Sequence, residues 1–323
     1  MIISRTPFRI SFTGGSTDLK SFYRTEGGAV VSTTINKYMY ITVNKRFDHT
    51  IRASYSKTEI VDHADALEHP IVREALKMAG ITNGIEITSI ADIPAGTGLG
   101  SSSSFTVGLL HALFAYQGRY ASARELADRA CQIEIDILHE PIGKQDQYAA
   151  AFGGLNLIQF NADESVYVDP IIMPADLHRK LAGNLLLFYT GIHRSASAVL
   201  KGTEERKVEN HGSKLMLKNQ SFELAEALRN GKGIPLFGRI LHTGWQIKKQ
   251  LSGDITTTEI NALYERALHA GATGGKILGA GGGGFLCIYA TKKNQGKVRM
   301  ALSGLRELSF AFDYQGSKIV YVE

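Results

Sequence analysis

The chain has 323 residues but only two cysteines, one tryptophan and seven prolines. Cys131 and Cys287 are too few for a disulfide framework, and no His/Cys spacing has the pattern of a zinc site. Both read as small buried apolar residues in a reduced, cytoplasmic protein. No uninterrupted apolar run is long enough to span a bilayer, so no membrane partner is expected. The opening MIISRTPFRI has neither a long apolar core nor a cleavage site, so no signal peptide is expected. A strong charge of one sign is also missing. Lys and Arg total 36 against 31 Asp and Glu, a net of +5, and the basic residues are scattered. That argues against a nucleic-acid surface and leaves a mild positive field suited to small anionic substrates.

What remains is an ordinary globular composition, 44% hydrophobic and 21% charged, in a length that suits two packed domains or one large one. Its most informative stretch is PAGTGLGSSSS, residues 94–104. The alternating IEITSIADI before it reads as a strand, and the apolar FTVGLLHALFAYQ after it reads as a buried helix. Glycines let backbone N–H groups approach a ligand closely, and the serines open a helix whose first N–H groups lack partners. Such a helix start binds anions, phosphate above all. Two familiar phosphate loops are excluded. No lysine lies between Ile93 and Gln117, so this is not a P-loop. Ser103 stands where the dinucleotide fingerprint needs its third glycine.

The rest of the chain reads as mixed α and β. Residues 1–12 form a strand that ends in the turn TGGSTD, and 28–46 and 51–55 are further strands joined by FDHT as a hairpin turn. Residues 62–80 read as a helix ending at Gly80. In 122–139, Ser122 and Glu125 form a capping box. On a helical wheel Leu126, Ala127, Ala130, Cys131, Ile133, Ile137 and Leu138 share one apolar arc, and Glu134 falls inside it. A buried carboxylate needs a cation or strong donors, so Glu134 is either half of a structural ion pair or a Mg²⁺ ligand. PIGKQDQYAAAFGG (141–154) puts Asp146 on a short helix after a Pro/Gly turn, with Lys144 as a candidate partner for it or for phosphate. Residues 161–180 are polar and irregular, and the domain boundary is placed there, giving domains 1–170 and 171–323. Thr190, Gly191, His193, Arg194 and Ser195 follow the next strand, and Arg194 makes a second anion site plausible. Several helices fill 203–270. A GxGxxG follows at Gly279, Gly281 and Gly284, but a strand comes after it, not the helix a dinucleotide site needs.

Pro94, Gly98, Leu99, Gly100, Ser101 and Ser102 resemble the phosphate loop Pro-x-x-x-Gly-Leu-Gly-Ser-Ser of the GHMP kinases. Pro7, Arg9, Gly14, Gly15, Thr17 and Asp18 resemble that family's opening strand and acceptor-binding turn, and Pro141, Gly143 and Asp146 its Pro-x-Gly-x-x-Asp. The segment 245–290 resembles its third conserved region. The resemblance spans nearly the whole chain and is strongest to the bacterial D-glycero-D-manno-heptose 7-phosphate kinases. It implies an α+β, two-domain GHMP kinase fold, with a ribosomal S5 domain 2-like N-terminal domain and a ferredoxin-like C-terminal domain. It implies ATP on Pro94, Gly96, Thr97, Gly98, Leu99, Gly100, Ser101, Ser102 and Ser103, and Mg²⁺ on Ser102 and Glu134. Asp146 would be the catalytic carboxylate with Arg9 beside it, and the sugar would lie against Gly14, Gly15, Thr17, Asp18, Gly281 and Gly282; the cation for its phosphate is left open between Arg194, Lys144 and a basic residue elsewhere. Fucokinase- and galactokinase-type sugar 1-kinases share much of this pattern. A nucleotide-dependent oxidoreductase is disfavoured by the contexts of both glycine runs, and a non-catalytic sugar-binding regulator by the presence of Asp146, Glu134 and Ser102 together. The resemblance sets no oligomeric state.

Overall fold

The computed structural model describes residues 1–192, 196–206 and 208–323. Seven strands come first: β1 (Ile2–Thr13), β2 (Gly28–Lys45), β3 (Ile51–Ser54), β4 (Thr58–Val61), β5 (Ile85–Ala91), β6 (Leu155–Phe160) and β7 (Val166–Pro170). Four more, β8 (Leu185–Tyr189), β9 (Gly274–Ile277), β10 (Phe285–Tyr289) and β11 (Arg306–Leu308), form a separate antiparallel sheet in the order β11-β8-β10-β9. The chain then returns. β12 (Phe312–Asp313) pairs with β2 and β13 (Lys318–Val322) with β1, completing a nine-stranded first sheet.

β2 is the spine of that first sheet. One edge pairs along its length with β1, while the other takes β6, β12 and β5 in succession. The expected β2–β3 hairpin does not form. β5 lies between them, antiparallel to β2 and parallel to β3. Arg46 N–H bonds to Gly84 O at 3.0 Å and Gly84 N–H to His49 O at 3.2 Å, so the connection after β2 steps over the start of β5. The helix expected over 62–80 is also shorter. It runs Pro70–Met78, because proline is tolerated in the first turn and His69 caps it, with only a 3₁₀ turn at Ala64–Ala66 before it. The stretch expected to be irregular, 161–180, holds β7 and the start of the helix Ala175–Gly183.

The helix Ser101–Tyr116 is apolar on nearly every side, and it packs against β1 and β2. Around the second sheet a further core gathers Trp245, Tyr264, Leu251, Ile277, Leu286 and Ile288. The two sheets are tied by buried contacts. Phe12 on β1 meets the ring of Phe237 edge-on at 5.0 Å, and the buried Lys276 of β9 donates to Phe12 O at 3.0 Å. Among the described residues no helix is long and apolar enough to cross a membrane.

Candidate active site

A cavity of about 220 Å³ lies where the two glycine-rich turns meet. Their closeness depends on glycine. A Cβ on Gly98, whose φ is +82°, would stand 2.5 Å from Leu278 O, and one on Gly279 would stand 2.6 Å from Gly98 Cα. Three successive carbonyl oxygens of the loop are occupied: Phe285 N–H bonds to Thr97 O at 3.1 Å, Arg9 N–H to Leu99 O at 3.0 Å, and Arg9 Nη1 to Gly98 O at 2.6 Å. Gly100, left-handed at φ +77°, then turns the chain into the helix Ser101–Tyr116, whose first N–H groups carry the positive end of its dipole. Gly96, Gly98, Gly100, Ser101, Ser102 and Ser103 line the cavity. Pro94 and Thr97 lie instead on a smaller pocket at the loop's other side, and Leu99 is buried in the core.

Facing the loop, Asp146 stands in the first turn of the helix Gln145–Phe152. Arg9 of β1 clamps it with two bonds, Nε to Oδ1 at 2.7 Å and Nη2 to Oδ2 at 2.6 Å. Arg9 is buried, whereas the Asp146 side chain keeps 23% of its surface open. Such a bidentate pair fixes the carboxylate plane and leaves an oxygen edge toward the cavity.

Asp18 is almost fully buried beside it. Its Oδ1 accepts from Ser16 N–H at 3.2 Å, and its Oδ2 from Gln145 N–H at 3.2 Å and Gln145 Nε2 at 3.1 Å. Gly143 is required for this contact, since a Cβ there would lie 2.0 Å from Asp18 Oδ2. Burial, then the Asp146 charge, raises the Asp18 carboxyl above its usual range despite those donors. From the same turn Gly15 and Ser16 line the cavity. Gly14 and Thr17 support the turn from behind: Thr17 Oγ1 bonds Gly14 O at 2.8 Å and Ala29 O at 3.0 Å. From the second glycine turn Gly281 lines the cavity, while Gly282 N–H is held by Ile255 O at 2.8 Å.

Glu134 is 1% exposed. Here the expected helix 122–139 changes character: it is α-helical over Ala123–Cys131 and a π-turn over Gln132–Ile137. The wider turn keeps Glu134 inward but swings Ile137, expected on the apolar arc, out to 41% exposure. Glu134 Oε1 accepts from Ser102 Oγ at 2.7 Å and Oε2 from Gln147 Nε2 at 2.6 Å. No cation pairs with it among the described residues, burial raises its carboxyl, and the buried Gln147 Oε1 beside it has no partner. An all-oxygen, negatively charged pair at the phosphate loop fits a hard cation such as Mg²⁺.

Lys144 does not meet Asp146. Its ammonium pairs with Glu164 outside this cavity and lies 4.8 Å over the Tyr23 ring. Arg194, with His193 and Ser195, lies outside the described residues. A residue that sequence reasoning missed does reach the cavity: Lys248, 4% exposed, whose Nζ donates to Gly279 O at 2.5 Å. The signal was present, because Phe237, Leu241, Trp245 and Lys248 are buried positions at helical spacing on the helix Gly233–Lys249.

A helix-start anion site facing an arginine-clamped carboxylate is the arrangement of a phosphotransferase. Residues 59–154 match the GHMP kinases N terminal domain and residues 224–305 the GHMP kinases C terminal domain. The chain belongs to the GHMP kinase family and has its two-domain α+β fold, and ATP is the family's phosphoryl donor. It is 29% identical to the D-glycero-alpha-D-manno-heptose 7-phosphate kinase of Campylobacter jejuni, over 98% of this chain and 97% of that protein. It is also 29% identical to the L-fucokinase/L-fucose-1-P guanylyltransferase of Bacteroides fragilis, over 93% of this chain but 35% of that longer protein. The crystal structure of a D-glycero-D-manno-heptose 1-phosphate kinase from Bacteroides thetaiotaomicron superposes with a TM-score of 0.81 at 25% identity, covering 100% of both chains.

Proposed function

We propose that the protein transfers the γ-phosphoryl group of ATP to the anomeric hydroxyl of D-glycero-D-manno-heptose 7-phosphate, giving the 1,7-bisphosphate. The product would feed GDP-heptose synthesis for surface polysaccharide, in the cytoplasm where ATP is made available. The observation that carries this reading is the Arg9–Asp146 clamp, with bonds of 2.7 and 2.6 Å, opposite the Gly100–Ser103 helix start. ATP lays its phosphates on loop 94–104, and the sugar lies against Gly15, Asp18 and Gly281. Asp146 orients O1 and receives its proton as the O1–Pγ bond forms and the Pγ–O bond to ADP breaks. A positioned carboxylate is useful because a sugar hydroxyl is a weak nucleophile at neutral pH. Ser102 and Glu134 would hold Mg²⁺, which when bound offsets charge on the β- and γ-phosphate oxygens. The domain division at 170/171 belongs to the same reading, with the final strands crossing back to the first sheet.

The named relatives support a heptose phosphate acceptor; one is a 7-phosphate kinase and the other a 1-phosphate kinase. The second reading, an L-fucose or galactose 1-kinase, rests on the equal identity to the L-fucokinase. ADP release with Mg-ATP decides between them, measured on heptose 7-phosphate, mannose, mannose 6-phosphate, L-fucose, galactose and mevalonate. Turnover confined to the heptose phosphate is the expected result. Turnover of L-fucose or galactose instead discards the heptose, and silence on all acceptors with ATP still bound moves the protein to a sugar-binding regulator.

A further inference from the structure

Only two cationic side chains line the cavity among the described residues, Arg9 and Lys248. Arg9 is committed, with Nε and Nη2 on Asp146 and Nη1 on Gly98 O. Lys248 is not. It comes from the far lobe, on the last turn of the helix Gly233–Lys249, and is 4% exposed. An ammonium carries three N–H donors, and one of them is used, on Gly279 O. No carboxylate lies within ion-pair distance of it among the described residues, and the nearby Asp18 carboxylate accepts instead from Ser16 and Gln145. A buried cation without a direct counter-ion is costly to keep, and a ligand anion would remove that cost. The position is specific. A Cβ on Gly15 of the acceptor turn would sit 3.6 Å from Lys248 Nζ, and Gly279, which accepts the one bond, packs on Gly98 of the phosphate loop. Lys248 therefore stands between the surfaces expected to hold donor and acceptor.

We propose that Lys248 binds a phosphoryl oxygen in this cleft. The oxygen belongs either to the group in transfer or to a phosphate that the acceptor already carries. The proposal rests on the kinase reading above and extends it to a residue on the opposite lobe. Physical chemistry gives it a second handle. Burial, with Arg9 acting in the same direction, lowers the ammonium to about 8 against the pull of Asp18 and Asp146, and Lys276 of β9 is the other cation facing it. Its charge is therefore lost in an accessible pH range.

The test compares wild type with Lys248→Met and Lys248→Arg on a phosphorylated sugar and on the same sugar without its phosphate. ATP affinity is read by calorimetry and folding by circular dichroism and thermal melting. A charge-assisted contact gives an effect of roughly ten- to a hundredfold. If the acceptor's own phosphate is the ligand, Lys248→Met raises KM by that factor for the phosphorylated sugar alone. If the transferred group is the ligand, kcat falls by that factor on both sugars with KM and ATP affinity nearly unchanged. In either case the arginine variant recovers part of the loss, and the wild-type decline above pH 8 is missing in the methionine variant. Kinetic constants within twofold of wild type on both sugars overturn the proposal. So does a loss matched by a lower melting temperature and weaker ATP binding, which marks a packing role. If wild type accepts only an unphosphorylated sugar, the heptose phosphate reading falls while kcat on that sugar still judges Lys248. If no sugar reacts, the rate of ATP hydrolysis with water as acceptor makes the same comparison.

Discussion

Asp146 and Glu134 come from consecutive helical segments and flank the same phosphate loop, yet they are held in opposite ways. Asp146 is partly open and has a guanidinium on both oxygens. Glu134 is buried and is held by neutral donors, the Ser102 and Ser103 hydroxyls and the Gln147 amide. Low dielectric makes an unpaired charge more expensive than a paired one, so burial alone would predict the reverse arrangement. The difference teaches which carboxylate is complete. Arg9 orients Asp146 before any ligand arrives, through a bond to each carboxylate oxygen. Glu134, beside the partnerless Gln147 Oε1, has no cationic side chain paired with it among the described residues, which is why the proposed Mg²⁺ is placed there.

Replacing Asp146 with Asn breaks the comparison at its reactive end and carries the largest expected effect. The amide cannot take the O1 proton, and it presents an N–H₂ to Arg9 where an acceptor is needed. We expect kcat to fall on the order of 10²- to 10⁴-fold with ATP affinity within about twofold. Steady-state kinetics with calorimetric ATP titration checks this, and an unchanged kcat removes Asp146 from the reaction. Glu134→Gln sharpens the other end. It removes a buried charge that lacks a cation, so thermal stability should stay level or rise. The Mg²⁺ concentration for half-maximal activity should rise by roughly tenfold, the cost of a lost charged ligand. A Mg²⁺ titration unchanged from wild type would make Glu134 a structural carboxylate.

These two residues also show how far sequence carries. The loop 94–104 was legible because strand, glycines, serines and helix are contiguous, so local rules suffice. Glu134 was legible by its place on an apolar arc, even though the π-turn at 132–137 altered the neighbouring positions. The Arg9–Asp146 pair joins residues 137 positions apart, and only the family resemblance put them together. Lys248 lay on a buried helical stripe, but no role attached to it in the sequence because lysine is usually a surface residue. The insertion of β5 between β2 and β3, and the return of β12 and β13, depend on pairings that no local pattern encodes.

Lys144 supplies the control for the comparison and the smallest expected effect. Two positions before Asp146, it read as a partner for phosphate or for Asp146 or as a surface lysine, but its bond goes to Glu164, which Tyr23 and Arg24 also hold at 2.5 and 2.6 Å. Burial pushes the Glu164 carboxyl up, but the bonds from Lys144, Tyr23 and Arg24 win and hold it at about 2. A carboxyl depressed on folding stabilises the fold above its unfolded value, near 4.3, and loses that contribution as pH falls through its folded value. Lys144→Met should therefore lower stability by about 1 kcal/mol or less at pH 6, since Glu164 is partly solvated, and by less at pH 3. Its kcat should stay within about twofold. Urea melts at the two pH values measure the first, and the ADP-release assay the second. Equal destabilisation at both pH values would mean that Lys144 acts by packing on Tyr23. A tenfold fall in kcat would return it to the cleft as a ligand, and the distinction between carboxylates completed by the chain and those completed by ligands would have to be redrawn around a mobile 141–146 segment.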